Sequence, residues 1–361
     1  MGRCPTGARG STLERRHTAL SRRDTLKREL LRFIAEGSSA TFDALALEVA
    51  RYQRDSLPAY GALVRANGQE MSHWRDAPFV PTEIFREVDL SPPDVQADAV
   101  FLTSGTTGVG RQGMRRVPDL ELYHAGCRSP FIEGVLAAHE EPIPWLSLIP
   151  SFEALPDSSL SHMVSYLGEE LSSELVYGAN ADGLLPSQIQ GAMEAWHTAS
   201  RPYLLLTTSF ALVRLFDTLG SLPQAPSGSS MMLTGGFKGK SRTVSEDDLL
   251  NQIHGRLGIH PSHVVGEYGM TELSSQAYGT PFQSPPWLKM RVIDPITLKD
   301  MPPGEQGLVG FFDLLNLDNV SAILTSDLGV LDESGQLSLH GRAPGSRTRG
   351  CSLRAEEWET P

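Results

Sequence analysis

Short apolar runs alternate with longer amphipathic runs over the first 286 residues, and this alternation constrains the fold more than any other sequence feature. Runs such as WLSLI (145–149) and MMLT (231–234) have the length and composition of buried strands, and amphipathic runs with helical spacing separate such strands. Alternating strands and helices are typical of α/β proteins. From about Trp287 onward the helical runs stop, and short strands with Gly/Pro turns follow, as in MPPGEQG and LDESGQ.

We therefore predict an α/β body over 41–286, preceded by a basic extension and first helix over 1–40 and followed by a β-rich subdomain and tail over 287–361. The predicted helices are 25–36, 43–67, 119–139, 159–171, 187–198, 210–219 and 246–257. The predicted strands are 99–103, 145–149, 203–207, 231–234, 263–268, 288–293, 307–314 and 322–325. Two Pro/Ser-rich stretches, 221–230 and 280–286, are predicted as surface loops.

Charge, hydropathy and cysteine content exclude several classes of protein. The net charge of −12 argues against a protein that coats nucleic acid, because phosphate contacts call for a basic face. No run reaches the roughly 18 apolar residues of a membrane-spanning helix, and the start lacks a signal-peptide core, so we expect a cytoplasmic location. The three cysteines, Cys4, Cys127 and Cys351, are far apart and indicate neither a disulfide framework nor a zinc site.

The segment FLTSGTTGVGR (101–111) joins a predicted strand to a loop rich in glycine and hydroxyl groups. In α/β proteins ligands bind beyond the carboxyl ends of strands, where backbone N–H groups can point outward. The loop's glycines permit close approach, its hydroxyls donate hydrogen bonds, and Arg111 adds a positive charge. The loop therefore favours phosphate binding, although it lacks the GK[ST] ending of a Walker A loop.

Three later stretches add groups that a nucleotide requires. EYGMTE (267–272) ends in a carboxylate beside a hydroxyl, a pair that can hold Mg²⁺ near a phosphate. TSDLG (325–329) places Asp327 at a strand end, where a carboxylate can accept hydrogen bonds from a ribose. HGRAPGSRTRGCSL (340–353) offers Arg342 and further arginines before Cys351. The order and spacing of these stretches along the chain are stronger evidence for a nucleotide site than any single stretch.

These motifs resemble those of the adenylate-forming enzymes, which include acyl-CoA ligases, luciferases and adenylation domains. TSGTTG, YGMTE, the aspartate of TSDLG and the GR of HGRAPG match in order. GGFKGK (235–240), SFEALPDSSLSHM (151–163) and RGCSL look like the acyl-protein synthetases of bacterial bioluminescence, the LuxE type. The resemblance covers roughly residues 40–355. It implies the large α/β body of an adenylate-forming enzyme with a small β-rich C-terminal subdomain and without the usual mobile C-terminal domain.

The resemblance also implies a role for individual residues. Glu272 would bind Mg²⁺ and act in catalysis, and Cys351 would accept the acyl group. The cation that the C-terminal domain supplies elsewhere would come from Lys238, Lys240, Arg347 or Arg349, and we favour Lys238 because glycines flank it. The cationic surroundings of Cys351 would favour its thiolate. The predicted nucleotide-binding residues are Thr103, Ser104, Gly105, Thr106, Thr107, Gly108, Arg111, Gly235, Gly236, Tyr268, Thr271, Asp327 and Arg342. Cys127, within a predicted helix, is expected in the core.

The activity that the resemblance implies is the ATP- and Mg²⁺-dependent conversion of a carboxylic acid, expected to be a fatty acid, into an acyl-adenylate. The acyl group would then pass to Cys351 and on to a partner acyl reductase. Two alternatives remain open from the sequence: a ligase that uses coenzyme A or a carrier protein as acceptor, and a nucleotide-binding subunit without turnover.

Overall fold

The computed structural model describes residues 21–36, 42–68, 70–93, 95–103, 112–235 and 246–343. Its helices are α1 (Arg22–Glu36), α2 (Phe42–Ser56), α3 (Pro58–Asn67), α4 (Leu120–Gly134), α5 (Ser159–Leu171), α6 (Pro186–Thr198), α7 (Ser209–Thr218) and α8 (Glu246–Leu257). Short 3₁₀ turns occupy Trp74–Asp76, Thr82–Arg86 and Pro261–His263. None of the helices in the described part of the chain is long and apolar enough to cross a bilayer.

The strands fall into an early group and a late group. The early strands are β1 (Val80–Pro81), β2 (Ala99–Leu102), β3 (Met114–Val117), β4 (Pro144–Ser147), β5 (Glu174–Tyr177), β6 (Ala179–Asn180), β7 (Gly183–Leu184), β8 (Leu204–Thr208) and β9 (Ser230–Thr234). The late strands are β10 (Val264–Tyr268), β11 (Ala277–Gly279), β12 (Phe282–Gln283), β13 (Leu288–Ile293), β14 (Gln306–Asp313), β15 (Ala322–Leu331) and β16 (Leu337–Arg342).

One large mixed sheet organises the molecule, in the order β13-β14-β15-β16-β12-β11-β10-β9-β8-β4-β5. Neighbouring strands from β10 through β9, β8 and β4 to β5 pair parallel. Neighbouring strands on the other side, from β10 through β11, β12, β16, β15 and β14 to β13, pair antiparallel. Strands β2 and β3 pair antiparallel in a separate two-stranded sheet, and residues 104–111 between them in sequence lie outside the described part of the chain. The strands predicted after residue 287 thus extend the same sheet as the parallel strands.

Three apolar clusters cover the sheet. Alternate residues of the parallel strands face opposite sides, with one side packed by α6, α7 and α8 and the other by α4 and α5. The third cluster joins α1, α2 and α3 to the antiparallel strands β13 to β16. Helices on both faces of a parallel region, with an antiparallel extension, confirm the predicted α/β class.

Three secondary-structure predictions are wrong. The single helix predicted over 43–67 is two helices, because Leu57 is extended at φ −105° and ψ 102° before Pro58, which starts α3. The stretch 280–286, predicted as a loop, contains β12, which pairs with β11 and with Leu337 of β16. Helix α4 also ends at Gly134, short of the predicted end at residue 139.

Candidate active site

The structure describes seven of the residues predicted to act in the site: Thr103, Gly235, Tyr268, Thr271, Glu272, Asp327 and Arg342. The other predicted residues lie outside the described part of the chain: Ser104, Gly105, Thr106, Thr107, Gly108, Arg111, Gly236, Lys238 and Cys351. The described residues occupy four places, the ends of β2, β9 and β10 and the paired strands β15 and β16.

Asp327, Tyr268 and Arg342 form a hydrogen-bonded cluster, which we call the Asp327 cluster. The Tyr268 hydroxyl donates to Asp327 Oδ2 at 2.6 Å, and Arg342 Nε donates to Asp327 Oδ1 at 2.7 Å. Asp327 and Arg342 are register partners on β15 and β16, so the sheet itself brings their side chains together. Their side chains are 14% and 30% exposed, which leaves the cluster open to a ligand.

The ring of Tyr268 is fixed by aromatic neighbours. It stacks on Phe311 with centroids 5.5 Å apart and contacts Phe282 at 5.6 Å. Burial, followed by the negative charge of Asp327, raises the pKa of Tyr268 well above its ordinary value. The phenol therefore stays protonated and donates to Asp327 at any physiological pH.

The turn that carries Thr271 and Glu272 lies beside the paired strands β2 and β3. Thr271 Oγ1 donates to the carbonyl oxygen of Leu102 at 3.4 Å, and Thr103 binds Gly113 through both its N–H and its Oγ1, each at 2.8 Å. Glu272 is 5% exposed and Thr271 is 7% exposed. The structure thus places the turn of the YGMTE motif beside the end of β2.

Arg115 on β3, which the sequence analysis did not single out, anchors this turn. Its guanidinium donates to the carbonyl oxygens of Thr271 at 3.1 Å and Leu273 at 2.7 Å, to Asn316 Oδ1 at 2.9 Å, and to the hydroxyl of Ser274. The side chain is 2% exposed, and burial lowers its pKa. A guanidinium nevertheless stays protonated in proteins, so Arg115 keeps all its donors. Its planar guanidinium group binds the residues on both sides of Glu272 and so holds the turn.

Asp313 on β14 holds the segment just after that turn. Its two oxygens accept from the backbone N–H groups of Ser274, Ser275 and Leu315 at 2.9 to 3.0 Å and from the Ser275 hydroxyl at 2.8 Å. Asp313 is fully buried, and burial raises its pKa despite these bonds and the positive charge of Arg115. Arg115 and Asp313, with the groups they bind, form what we call the Arg115 cluster.

A second residue that the sequence analysis missed is Glu267, the residue before Tyr268. It is 5% exposed on β10 and accepts a hydrogen bond from the hydroxyl of Thr234, its register partner on β9. Burial raises the pKa of Glu267 to about 7, while the Thr234 bond acts in the opposite direction. Gly235 follows Thr234 with φ 84°, a conformation that glycine adopts without strain. The sequence signal that could have identified Glu267 is a glutamate within the otherwise apolar run VVGEY.

Two histidines and a cysteine lie between α4 and α5. His124 Nε2 and His162 Nε2 are 2.9 Å apart, and the rings are nearly parallel. Burial, with a smaller effect of His124, lowers the pKa of His162 to about 4, so the pair stays neutral. Cys127 is fully buried, as predicted, and burial raises the pKa of its thiol. Such a thiol is a poor nucleophile at neutral pH.

Part of the chain matches a family of known proteins. Residues 200–357 match the family described as acyl-protein synthetase, LuxE. The predicted resemblance is confirmed over this part of the chain. An 80-residue stretch is 34% identical to the long-chain-fatty-acid–luciferin-component ligase of Vibrio harveyi. That stretch covers 19% of this chain and only 20% of the relative's length.

Solved structures confirm the fold. The chain superposes on an open conformation of 2-hydroxyisobutyryl-CoA ligase, determined in complex with 2-HIB-AMP and CoA, with a TM-score of 0.63 and 15% identity. The match covers 84% of this chain and 74% of the ligase. The same ligase in its postadenylation state, in complex with 2-HIB-AMP, gives a TM-score of 0.62 at 16% identity, covering 86% and 69% of the two chains. The chain has the fold of the adenylate-forming enzymes.

Proposed function

We propose that this protein activates a carboxylic acid with ATP, forming an acyl-adenylate, and transfers the acyl group to its own Cys351 for delivery to a reductase. The match to the acyl-protein synthetases and the adenylate-forming fold support acid activation. The step through Cys351 and the reductase partner rest on the resemblance alone. A cytoplasmic location fits this role and is part of the proposal.

The single observation that carries the proposal is the Asp327 cluster. Asp327 uses one lone pair of each oxygen for Tyr268 and Arg342, and the carboxylate can accept further hydrogen bonds. Two ribose hydroxyls are donors that suit such a carboxylate. Arg342 and Tyr268 hold the carboxylate in place, so little ordering is needed when a nucleotide binds.

The remaining predicted residues complete a nucleotide site around this cluster. The loop of Ser104 to Gly108, with Arg111, would bind phosphate oxygens, and Gly235 with Gly236 would allow the nucleotide close to the end of β9. These assignments extend the proposal from the described residues to neighbouring positions. Under these assignments, the phosphates of ATP would lie next to the Glu272 turn.

The residues at that turn fit a magnesium ion. The described residues contain no group of three or more His, Cys, Asp or Glu side chains that could hold a metal by themselves. Magnesium in phosphoryl-transfer sites uses one or two carboxylates together with substrate phosphates, so Glu272 with the Thr271 hydroxyl matches its needs. Bound magnesium would supply charge neutralisation for the phosphates, and the Arg115 cluster fixes the backbone of the turn that carries the Glu272 carboxylate.

The first half-reaction joins the acid to AMP. A carboxylate oxygen of the acid attacks the α-phosphorus of ATP, a new P–O bond forms, and the bond to the β-phosphate oxygen breaks to release pyrophosphate. Arg111 and Lys238 would offset the negative charge that approaches the α-phosphate. The product is a mixed anhydride whose AMP is a good leaving group.

The second half-reaction would use the Cys351 thiolate. Its sulfur attacks the acyl carbon, the C–O bond to AMP breaks, and a thioester and AMP result. Arginines at 347, 349 and 354 are close in sequence and would favour the thiolate. Coenzyme A is the alternative acceptor, and the superposed 2-hydroxyisobutyryl-CoA ligase was determined with CoA bound.

Mass spectrometry after incubation with ATP, Mg²⁺, mixed acids and CoA distinguishes the acceptors. The proposal predicts a hydroxylamine-labile acyl group on Cys351, whereas free acyl-CoA without protein labelling would favour the alternative. Cys351→Ser should abolish labelling and leave acid-dependent pyrophosphate exchange almost intact, because the adenylate forms before a thiolate is needed. Cys127→Ser is the matched control and should keep its label. Loss of label in folded Cys127→Ser alone would overturn the Cys351 assignment.

A further inference from the structure

The connection between β14 and β15 is buried along its whole length. Residues 314–321, which we call the 314–321 segment, join these strands, and every one of them is buried. Connections usually run over the surface, because a buried loop must find partners for its polar groups within the protein. Four side chains of this segment are polar: Asn316, Asp318, Asn319 and Ser321. The partners of these side chains therefore indicate what the segment does.

One side of the 314–321 segment binds the Glu272 turn. Asn316 Nδ2 donates to the carbonyl oxygen of Glu272 at 2.9 Å and to the carbonyl oxygen of Val320, also at 2.9 Å. Asn316 Oδ1 accepts from Arg115 and from the hydroxyl of Ser274, each at 2.9 Å. A primary amide has two N–H donors and two acceptor lone pairs, so Asn316 uses all of them here. One buried side chain thus fixes the backbone of Glu272 relative to Arg115 and Ser274.

Helix α2 binds the opposite side of the same segment through Gln53. This residue is fully buried, and its Nε2 donates to the carbonyl oxygen of Asn316 at 2.9 Å and to the hydroxyl of Ser321 at 2.8 Å. Gln53 Oε1 accepts from the backbone N–H of Ser321 at 3.1 Å. Gln53 therefore holds the backbone of the residue whose side chain binds Glu272.

Asp318, in the middle of the segment, is held by helices α1 and α2. Arg23 of α1 donates from Nε to Oδ1 at 2.7 Å and from a terminal nitrogen to Oδ2 at 2.6 Å, and the Tyr52 hydroxyl of α2 donates to Oδ1 at 3.3 Å. A bidentate arginine–carboxylate pair fixes geometry as well as adding energy. The N-terminal helices are thus connected to the Glu272 turn through the 314–321 segment.

We propose that Asn316 is a positioning residue for acid activation and that Gln53 supports it from α2. The inference rests on the proposed function, in which the Glu272 carboxylate binds Mg²⁺. Magnesium requires near-ideal octahedral geometry with oxygen ligands at about 2.0–2.1 Å, so a small displacement of Glu272 weakens its binding. Asn316 acts through the backbone of Glu272, and loss of its donors should therefore weaken magnesium-dependent binding more than nucleotide binding itself.

The test measures by calorimetry how much Mg²⁺ increases the affinity for ATP, which we call the magnesium gain, and the affinity for AMP without Mg²⁺. Asn316→Asp keeps the acceptor for Arg115 and Ser274 and loses both donated bonds. The magnesium gain should fall about tenfold or more, because a buried carbonyl oxygen of Glu272 loses its donor and meets a second acceptor. The affinity for AMP should stay close to that of the wild type, because the ribose contact belongs to the Asp327 cluster.

Two further variants separate positioning from added charge and from distance. Asn316→Ala adds no charge and should reduce the magnesium gain in the same direction as Asn316→Asp. Gln53→Met has a similar length, removes the support from α2 and should give a smaller reduction. Glu272→Gln is the reference for complete loss of the gain.

Asn319 provides the matched control within the same segment. It is 2% exposed, as Asn316 is 1% exposed, and its Nδ2 donates to the carbonyl oxygen of Arg116 on β3 at 2.7 Å rather than to Glu272. Asn319→Asp and Asn319→Ala should lower the thermal midpoint and retain the wild-type magnesium gain. All measurements are made below the unfolding midpoint of each variant, and the asparagine variants decide if Gln53→Met does not fold.

The positioning role and acid activation can fail separately. If the wild type catalyses no acid-dependent pyrophosphate exchange, acid activation fails, and the binding measurements still decide the role of Asn316. Equal losses of affinity for AMP and for ATP with Mg²⁺ in the Asn316 variants, or the same loss of gain in the Asn319 variants, would overturn the positioning role. A magnesium gain that is absent from the wild type or survives in Glu272→Gln would overturn it as well.

Discussion

Two clusters in this protein pair an arginine with an aspartate, and they differ in how completely water is excluded. In the Arg115 cluster the arginine is 2% exposed and the aspartate is fully buried, and their hydrogen bonds go mostly to backbone groups around the Glu272 turn. In the Asp327 cluster both side chains remain partly exposed and bind one another and a tyrosine.

The difference assigns a separate task to each cluster. Arg115 and Asp313 organise a turn, and their loss leaves buried donors and acceptors without partners. Asp327 keeps unused lone pairs near solvent, so it can meet a ligand. Changes to the first cluster should therefore reduce stability, whereas changes to the second should reduce nucleotide affinity.

The largest expected effect is the loss of folding stability in Arg115→Met. Removing the guanidinium leaves the buried carbonyl oxygens of Thr271 and Leu273 without this donor and Asp313 without its counter-charge, at a cost of about 3–5 kcal/mol. Urea denaturation measures it. Arg116→Met is the matched control, because Arg116 forms an exposed ion pair with Asp89 at 3.2 Å and should cost less than about 1 kcal/mol. Equal effects of the two changes would remove the contrast between the clusters.

Glu272→Gln tests what the buried cluster positions. The amide is a poorer magnesium ligand, so ATP–pyrophosphate exchange should fall by about 100-fold or more, while weak ATP binding persists. The change keeps the shape of the side chain, and the thermal midpoint should stay close to that of the wild type. Exchange at the wild-type rate would exclude Glu272 from the site.

Glu267 sharpens the comparison because it is a buried acid without an arginine partner. Its pKa is raised to about 7 in the folded protein from 4.5 as its ordinary value, so the folded state binds more protons across this window. The free energy of unfolding should therefore fall by about 2 kcal/mol between pH 5 and pH 7 on account of this group. In Glu267→Gln that contribution should be missing when urea denaturation is repeated across the same pH range. Parallel stability curves for the two proteins would contradict the assigned pKa.

The smallest expected effect is that of Asp327→Ala. A ribose contact is made in the ground state and the transition state alike, so the KM for ATP should rise by about tenfold with little change in kcat. Folding stability should change far less than in Arg115→Met. A large fall in kcat at unchanged KM would contradict the ribose assignment.

Sequence motifs predicted one of these clusters and missed the other. Tyr268, Asp327 and Arg342 each stand in a short motif whose order is recognisable, and the structure brings their side chains together. Their role in nucleotide binding stays a prediction. Arg115 lies in MRRV, where nothing local distinguishes it from exposed Arg116, because its partners are 156 to 201 positions away in sequence.

The sequence predicted the secondary structure correctly where the spacing of apolar residues clearly indicated a strand or a helix. The buried parallel strands and the helices between them could be read from apolar runs, whereas β12 has two residues beside prolines and pairs with strands that were themselves short or irregular. The break at Leu57 had a local signal, Pro58 within a helical pattern, and the amphipathic spacing on both sides concealed it.

Isotope transfer from the acid tests the central claim of acid activation most directly. The acid is labelled with oxygen-18 in its carboxylate and incubated with ATP, Mg²⁺, the protein and hydroxylamine as final acceptor. Because the attacking carboxylate oxygen stays on phosphorus when the acyl group leaves, the account predicts AMP that carries one oxygen-18 atom, and unlabelled pyrophosphate. Release of ADP and phosphate, or AMP free of the label while ATP is consumed, would contradict it.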